Sequence, residues 1–503
     1  MKTKLSLILA MLMLASAALT ACSDAGTDNT DASGDTTVTD TPSADEETEA
    51  ETDPADARAA IPDDLPEMNF DGRNFIILGS EPGCTQYITV EEMNGEIVND
   101  AVFQRNLTIE ERYGATISHF IPGATGADYG VTSSTVRNAV TAGDSDSFHL
   151  ISYHVVEAGS IVVQGYLMNW YEIPHINFDK PWWSDSTVND LSMNNHCFLA
   201  VGDAALTSVS STYCTLYDKD AAKDYGIEGL YETVREGKWT VDYQTELVQK
   251  VATDMNGDGQ MTAEDYFGLS SSPYSAVNTY LWAFDNQVFV KNDEGVLEFS
   301  YYNERLVGIF DKVYTLFKDT NGVYAPTGLG HNVGIDQFAN YGSLFCNAVL
   351  SFTISNLADY DHEYGIIPYP KYDEAQPEYK TMVDGGHEAM GIALSAADLD
   401  FIGVMTEVMC AESYKQVLPA YYDVALKQRY ASSPEDAEMI ELCVASRVFD
   451  LGYVYDNWKG VSFYLESLIS NSGTKDITSH YKKNEKAATK YYDRVVKAFY
   501  PED

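Results

Sequence analysis

The chain changes character at about residue 64, and this break limits how much of it can fold. Residues 23–64 consist almost entirely of Asp, Glu, Thr, Ser, Ala, Gly and Pro, without an aromatic residue. Such a segment cannot bury enough apolar surface to offset the entropy of ordering it, so we predict a disordered acidic tether. Its fourteen carboxylates and the single Arg58 favour an extended chain through self-repulsion. The folded body is thereby confined to residues 65–503.

The N-terminus has the features of an export signal that ends in a lipid-attachment site. Lys2 and Lys4 precede an apolar run over Leu5–Ala18, and a Leu-Thr-Ala-Cys motif then ends at Cys22. The run has about fourteen residues, fewer than the roughly 20 that a membrane-spanning helix needs. We therefore predict a cleaved signal peptide over 1–22, a palmitate-containing lipid on Cys22, and anchoring at the extracellular face of the cytoplasmic membrane. An ordinary cleaved signal with an incidental cysteine is the alternative.

The body is larger than a single hydrophobic core usually supports, so we predict two lobes. It carries about −35 of the chain's net charge of −46. This acidic balance argues against nucleic acid and anionic lipid headgroups as ligands, because both are bound by clusters of Lys and Arg. A neutral or cationic ligand is easier to accommodate.

Six cysteines remain once Cys22 is assigned to lipid: Cys84, Cys197, Cys214, Cys346, Cys410 and Cys443. The even number permits disulfides in an exported protein. Cys346, Cys410 and Cys443 nevertheless lie in apolar stretches, which favours buried free thiols. No CxxC pair occurs, which argues against a cysteine metal site.

Strand and helix signals alternate in the first part of the body, which is typical of an α/β lobe. The predicted strands are 74–78, 115–120 and 148–153, and the predicted helices are 99–113, 155–163, 240–253, 400–413, 437–448 and 484–500. In open α/β sheets the ligand crevice lies beyond the carboxyl ends of the strands. The strand ends therefore indicate a candidate ligand site at Ser80, Glu81, Tyr153 and His154.

An acidic loop that begins at Asp254 is the sharpest local motif. Oxygen ligands occupy its alternating positions, with Gly259 at the turn: Asp254, Asn256, Asp258, the carbonyl of Gln260, and Thr262 through a water. Asp265 takes the twelfth position, where Glu is usual, so the loop must tighten or a distant carboxylate must complete the sphere. We predict structural Ca²⁺ held by Asp254, Asn256, Asp258, Gln260 and Asp265. An acidic turn without metal is the alternative.

Catalytic motifs are weak, and we predict that the protein is not an enzyme. His387-Glu388 lacks the second His of HExxH, and the chain contains no P-loop or GxSxG elbow. Aromatic residues make up 12% of the chain. Their flat faces pack on the apolar faces of sugar rings. The tryptophan candidates for this role are Trp182, Trp183, Trp282 and Trp458.

Several segments together resemble the extracellular solute-binding lipoproteins of carbohydrate ABC importers, in the form common in Gram-positive gut anaerobes. They are Phe-Asp-Gly-Arg-Asn-Phe-Ile-Ile-Leu-Gly-Ser at 70–80, Asn-Asp-Ala-Val-Phe-Gln-Arg-Asn at 99–106, Pro-Trp-Trp at 181–183, Gly-Lys-Trp-Thr at 237–240, Asp-Met-Asn-Gly-Asp at 254–258 and Ile-Pro-Tyr-Pro-Lys at 367–371. The resemblance runs from about Phe70 to the end of the chain. It implies the α/β, two-lobed periplasmic-binding-protein-like fold of type II, with lobes joined by a multi-strand hinge.

A fainter similarity to maltose-binding proteins implies how the lobes connect. The implied lobe 1 comprises 65–205 plus 384–430, and the implied lobe 2 comprises 206–383 plus 431–503. The implied crossovers are Phe198–Leu216, Tyr364–Ala393 and a third that follows Val424–Lys427. The same similarity implies sugar-facing positions for Tyr274, Trp282, Phe352 and Trp458. Phe352 stands where those relatives have a tryptophan.

The implied function is capture of a carbohydrate, an oligosaccharide in particular, by a monomer that delivers it to the transmembrane subunits of an ABC permease. The lobes would close on the solute by hinge motion. Glu81, Asp203 and Glu388 would orient hydroxyls, with Trp183 among the stacking aromatics. A secreted carbohydrate-active enzyme is one alternative and requires two facing carboxylates about 5–9.5 Å apart. A surface peptide-binding or interaction protein with an open groove is the other.

Overall fold

The computed structural model describes residues 54–80, 85, 87–123, 129–292, 295–357, 359–421, 433–456 and 460–500. These residues belong to one compact unit. Cys22, residues 23–53, Glu81, Cys84, Val424–Lys427 and Trp458 lie outside the described residues. No helix in the described part of the chain is long and apolar enough to cross a membrane.

Two main sheets organise the body. The strands in chain order are β1 Arg73–Gly79, β2 Ala115–Phe120, β3 Leu150–His154, β4 Ser192–Met193, β5 His196–Cys197, β6 Tyr213–Asp218, β7 Phe267–Ser271, β8 Phe289–Lys291, β9 Leu297–Phe299, β10 Val323–Tyr324, β11 Ser343–Val349, β12 Tyr364–Ile367, β13 Thr381–Met382, β14 Glu388–Gly391 and β15 Arg447–Val448. The first sheet has the order β14-β3-β1-β2, and the second has the order β10-β7-β11-β6-β12. In the first sheet β14 is added antiparallel to three parallel strands. In the second sheet β6 runs antiparallel to its two neighbours, β11 and β12.

Helices cover the faces of both sheets. In chain order they are α1 Pro54–Ala59, α2 Ile97–Tyr113, α3 Tyr129–Ala142, α4 Val155–Val163, α5 Asp185–Asn189, α6 Thr207–Ser210, α7 Lys219–Asp224, α8 Leu230–Arg235, α9 Val241–Val251, α10 Ser275–Ala283, α11 Glu304–Tyr314, α12 Val333–Ala339, α13 Phe352–Ser355, α14 Leu399–Glu412, α15 Pro434–Ala445, α16 Leu451–Tyr455 and α17 Ile477–Phe499. Helix α2 ends at Gly114, which adopts the left-handed conformation that residues with a side chain rarely take. The predicted alternation of strands and helices is therefore present.

The chain passes between the sheets along neighbouring segments. Ala200 forms a β-bridge with Met390 at the edge of the first sheet, and the chain then enters β6 of the second sheet. The returning segment leaves β12, forms a bridge from Val383 to Thr212, and enters β14. The first two crossovers thus lie side by side and form a hinge of several strands.

The predicted tether boundary at residue 64 is wrong, because ordered structure begins earlier. Pro54–Ala59 forms α1, and Ile61 packs against the core of the first lobe. Asp63 forms an ion pair with Arg112 at 2.5 Å, and Asp64 forms one with Lys180 at 2.5 Å. Composition alone missed this segment because its acidic residues are held by cationic partners far away in sequence.

The end of the chain contacts both lobes. In α4, which contacts β3 and β14 of the first sheet, the Cα of Gly159 faces the backbone of Val454 and Tyr455 in α16. Phe499 of α17 is buried against Tyr455 and Phe198. The same helix also packs on β9 and α11 of the second lobe. The assignment of 431–503 to lobe 2 alone is thus too simple, because its last helices bridge the two lobes.

Five cysteines are described, and all five are buried and free: Cys197, Cys214, Cys346, Cys410 and Cys443. The prediction of buried free thiols is confirmed for Cys346, Cys410 and Cys443. Burial raises the pKa of each thiol, which keeps the unreactive protonated form.

Candidate functional site

A cleft of about 520 Å³ opens beside Tyr274, which follows the carboxyl end of β7 and precedes α10. The chain returns to it much later, through the turn after α16 and the first half of α17. The residues that line the cleft are Tyr274, Ser275, His331, Gly460, Phe463, Tyr464, Glu466, Ser467, His480 and Asn484. The cleft therefore lies at a strand end, where α/β sheets commonly bind ligands.

Aromatic rings form two walls of this cleft, which we call the Tyr274 cleft. The rings of Tyr274 and His331 lie 4.6 Å apart with an interplanar angle of 40°. Those of Tyr464 and His480 lie 4.5 Å apart in an edge arrangement. Tyr274 is half-buried, so part of its ring surface remains open to a ligand.

Polar groups in the Tyr274 cleft are held in fixed positions. Glu466 accepts a hydrogen bond from Asn278 Nδ2 at 3.1 Å, and its backbone N–H donates to Asn278 Oδ1 at 2.9 Å. Burial raises the pKa of the Glu466 carboxyl. Asn484 and Ser467 add further donors and acceptors. This combination of aromatic faces with a few fixed polar groups suits a polyhydroxylated ligand.

Of the residues predicted at the strand ends of the first sheet, Ser80, Tyr153 and His154 are buried. Tyr153 bonds to Ser133, and the backbone N–H of His154 donates to Ser80 Oγ at 3.0 Å. Burial, reinforced by the neighbouring His387, lowers the pKa of His154 to about 3. His154 is thus neutral at physiological pH and supports the crossover rather than presenting a charge.

The two described acids among the predictions, Glu388 and Asp203, occupy different places. Glu388 is fully buried at the start of β14, where its Oε2 accepts a hydrogen bond from Thr207 Oγ1 at 3.0 Å. Asp203 lines a separate crevice of about 450 Å³ together with Trp183 and Arg447. Burial raises the pKa of Asp203 to about 7. The structure does not bring Asp203 to the Tyr274 cleft.

The stacking roles predicted for Trp183 and Trp282 are corrected. Both rings are core residues, with 3% and 1% of their surface exposed. The indole N–H of Trp183 donates to Glu407 Oε2 at 2.9 Å, and that of Trp282 donates to Asp450 Oδ2 at 2.9 Å. Phe352 is half-buried and packs against two of the hydrophobic clusters. None of the three lines the Tyr274 cleft.

The Asp254 loop is shaped by its own backbone. Asp254 accepts hydrogen bonds from the N–H groups of Gly257 and Gly259, at 2.6 and 2.7 Å. Gly259 has φ of +81° at the predicted turn. Asp265 accepts from Thr262 N at 2.7 Å and from Met255 N at 2.9 Å, and these bonds lower the pKa of its carboxyl. The hard oxygen donors of this loop fit Ca²⁺ chemically.

A second group of side chains brings its possible metal-ligand atoms close together. In the described part of the chain, one set of three acidic or imidazole side chains has ligand atoms within 4.8 Å of one another, and it comprises Asp218, Asp220 and His362. His362 Nδ1 lies 2.7 Å from Asp218 Oδ2, and this contact raises the pKa of the imidazole. Asp218 also caps α7 and accepts from Tyr360, so its oxygens already serve the fold.

The chain has no match among protein-family models or curated protein sequences. Solved structures do match it. An ABC substrate-binding protein of Listeria monocytogenes in complex with cycloalternan aligns with a TM-score of 0.54 at 12% identity, covering 85% of this chain and 99% of its own. UgpB of Mycobacterium tuberculosis, in complex with glycerophosphocholine, aligns with a TM-score of 0.54 at 13% identity, covering 84% and 98%.

A cyclo/maltodextrin-binding protein complexed with maltotetraose also aligns with a TM-score of 0.54, at 12% identity, covering 84% of this chain and 96% of its own. At such low identity these likenesses establish the fold. The fold is the two-lobed α/β fold of ABC solute-binding proteins, as predicted from the sequence. These structural neighbours are binding proteins rather than enzymes.

Most residues of the Tyr274 cleft escaped prediction from the sequence. The resemblance indicated Tyr274 as a sugar-facing residue. The sequence analysis did not single out the other main lining residues, which are His331, Phe463, Tyr464, Glu466, His480 and Asn484. The last five lie about 190 to 210 residues after Tyr274 along the chain. The available signal was a high density of aromatic and polar residues over 460–484, close to the predicted Trp458.

Proposed function

We propose that the protein is a lipid-anchored extracellular solute-binding protein that captures a carbohydrate, an oligosaccharide in particular, for an ABC permease. The observation that carries this proposal is the Tyr274 cleft within a two-lobed solute-binding fold. Its volume of about 520 Å³ lies within the range of small-ligand sites and accommodates more than one sugar ring. The Tyr274 ring provides a face for a pyranose, and Glu466 and Asn484 provide hydrogen bonds for its hydroxyls.

Capture requires that the lobes move relative to each other. The two crossovers that form the hinge are short neighbouring segments, and residues near the hinge such as Tyr213 and Asp384 are joined by a hydrogen bond of 2.9 Å. Ligand that contacts both lobes favours the closed form, which the permease subunits recognise. Binding without turnover follows, with the protein acting as a monomer.

The lipid on Cys22 and the acidic residues 23–53 complete this proposal. The lipid holds the protein at the outer face of the cytoplasmic membrane. An acidic chain of this length allows the body to reach solute and then a permease in the same membrane. Replacement of Cys22 by Ala should release the protein from membranes washed at high salt, and retention of the variant in the washed membrane fraction would contradict the anchor.

Carbohydrate capture is tested by screening a glycan panel for thermal stabilisation of the purified protein, with product analysis in parallel. We expect stabilisation by an oligosaccharide without any product, and a smaller radius of gyration by X-ray scattering when it binds. Product formation would instead support the carbohydrate-active enzyme. Stabilisation by peptides alone would support the peptide-binding alternative.

The Asp254 loop is proposed to bind structural Ca²⁺. Asp254, Asn256, Asp258 and Asp265 would provide side-chain oxygens, and Gln260 would provide its carbonyl. Because the side chain of Asp265 is shorter than that of Glu, we expect this loop to bind Ca²⁺ more weakly than a loop ending in Glu. The ion would hold together a long connection between α9 and β7, and it has no role in solute chemistry.

Calcium binding is tested by thermal unfolding with and without a chelator. Chelation should lower Tm, and the Asp258→Ala variant should lose this sensitivity. Asp319→Ala, an exposed acid outside the loop, is the matched control and should keep it. Equal Tm values for the wild-type protein with calcium and with chelator would overturn the proposal.

A further inference from the structure

Helix α17 is basic in an otherwise strongly acidic chain. Its 23 residues contain six Lys and Arg and two acidic residues, whereas the whole chain has 31 basic and 77 acidic residues. Almost a fifth of all positive side chains therefore lie on one helix. The net charge of the whole chain therefore does not describe the charge of this helix.

The positive side chains of α17 occupy its solvent-facing side. The opposite side of the helix is defined by its buried residues, which are Ile477, Tyr481, Val495 and Phe499. At about 100° per residue the basic residues cover an arc of about 120°, centred roughly opposite the buried residues, over about 22 Å of helix. We name this set the basic stripe: Lys482, Lys483, Lys486, Lys490, Arg494 and Lys497, all exposed.

Acidic neighbours do not neutralise most of the basic stripe. Five of its members, all except Lys497, form no ion pair within 4.0 Å with any residue in the described part of the chain. Asp493 is the one acid of the helix inside the arc, and Glu485 lies about 60° outside it. Some basic side chains elsewhere are paired, as Arg235 is with Glu435 and Glu438. The stripe thus presents a positive potential to solvent.

We propose that the basic stripe docks the protein on an anionic phospholipid surface. A straight row of cations fits a flat array of phosphate groups, and each Lys or Arg near such a surface adds to the attraction. None of the large apolar side chains of α17 is exposed, so the helix lies on the headgroups without inserting. The acidic remainder of the body is repelled, which directs it away from the membrane.

Total charge does not oppose this contact. Electrostatic potentials decay over about 8 Å at physiological ionic strength, so a lipid surface responds to the nearest residues rather than to the whole chain. The argument from a net charge of −46 against anionic headgroups therefore does not extend to this face. The inference uses the proposed membrane location of the protein, and it is independent of which solute is bound.

The docking is tested with the predicted mature chain without its lipid-bearing cysteine, residues 23–503, so that neither lipid nor the apolar signal segment can provide the attachment. Sedimentation with phosphatidylcholine vesicles is compared with sedimentation with vesicles that also contain phosphatidylglycerol, at low and high salt. We expect binding to the anionic vesicles that is at least about tenfold stronger than to neutral ones and is lost at high salt. Equal binding to both vesicles would overturn the proposal.

A pair of charge-reversal variants separates the stripe from total charge. The stripe variant carries K482E, K486E, K490E and R494E. The control carries K223E, K238E, K250E and K318E, four exposed lysines elsewhere, and has the same net charge. We expect the stripe variant to lose at least about tenfold in vesicle affinity and the control to stay within about twofold. An equal loss in both variants would contradict a local site.

Two further measurements complete the test. Near-ultraviolet circular dichroism checks that both variants fold, and glycan capture should remain in both, so that loss of docking is distinguished from loss of solute binding. Competition by soluble polyphosphate at equal phosphate concentration identifies the partner. Weaker competition by polyphosphate than by vesicles supports the bilayer, whereas equal or stronger competition indicates a soluble polyanion and overturns the proposal.

Discussion

Glu407 is a buried carboxylate that fixes two adjacent tryptophans of the first lobe. Its Oε1 accepts the indole N–H of Trp182 at 2.8 Å, and its Oε2 accepts that of Trp183 at 2.9 Å. The backbone N–H of Asn177 also donates to Oε2, at 3.2 Å. Burial nevertheless raises the pKa of Glu407 to about 7, because three hydrogen bonds do not replace full hydration.

Replacing Glu407 by Gln should destabilise the protein by about 1–3 kcal/mol, because an amide NH₂ would face an indole N–H and leave a buried donor without an acceptor. Urea unfolding measures the change. Glu438→Gln, which alters an exposed pair with Arg235, is the matched control and should change the stability by less than about 0.5 kcal/mol. A stable Glu407→Gln variant would show that the tryptophans are held by packing alone.

Tyr274 is the residue on which solute capture should depend most. Tyr274→Ala should weaken glycan affinity about tenfold, since loss of one stacking face costs roughly 1 kcal/mol or more. Calorimetric titration with the glycan found by screening measures the effect. Tyr171→Ala, which removes a ring that is 44% exposed in the other lobe, should leave the affinity unchanged. Unchanged affinity in Tyr274→Ala would place the solute elsewhere.

Elements were predicted from the sequence more successfully than the contacts between them. Strand β2 matches its predicted range, and α4 does too. Helix α17 begins seven residues before the predicted start at Asn484, because its N-cap Asp476 lies outside the apolar pattern. Periodicity shows which residues can be buried but not which partner covers them. The similarity to maltose-binding proteins implied Trp282 as a ligand contact, whereas its hydrogen bond to Asp450 follows from no sequence pattern.

The packing of α16 against α4 depends on a close approach at Gly159. A Cβ there would lie 2.6 Å from the carbonyl oxygen of Val454 and 2.9 Å from the Cα of Tyr455. Gly159→Ala should therefore destabilise the protein by about 1–3 kcal/mol, although Ala favours helix. Thermal unfolding measures this, with Ser160→Ala in the same helix as control. A more stable Gly159→Ala variant would mean that α16 moves aside without cost.

At the scale of the whole molecule, buried acids predict how stability depends on pH. Burial raises the pKa of Asp203, Glu407 and Asp456 to about 7 and that of Asp450 to about 6. A carboxyl with a raised pKa stabilises the fold while it is protonated, and this contribution is lost as pH rises towards 7 and beyond. His154 and His387 have lowered pKa values, so they add stability above about 6.5 that is lost only at lower pH.

Between pH 7 and 8.5 most histidines of the unfolded chain are already neutral, so the change in stability comes mainly from the acids. We therefore expect Tm to be higher at pH 7 than at pH 8.5 by about 1 °C. Scanning calorimetry at constant ionic strength measures this, and Glu407→Gln should flatten the dependence. A Tm that rises towards pH 8.5 would contradict the assigned pKa directions.

The return of the last helices to the first lobe constrains the order in which the protein can fold. Phe499 fills a space beside Phe198, so a surface formed early in the chain is covered only by its final turns. During synthesis or export, the surface of the first lobe beside Phe198 and α4 would stay exposed until residues 451–499 pack on it. A chain truncated before residue 451 should therefore be cleaved by protease near α4. A chaperone that delays folding could bind the same exposed surface.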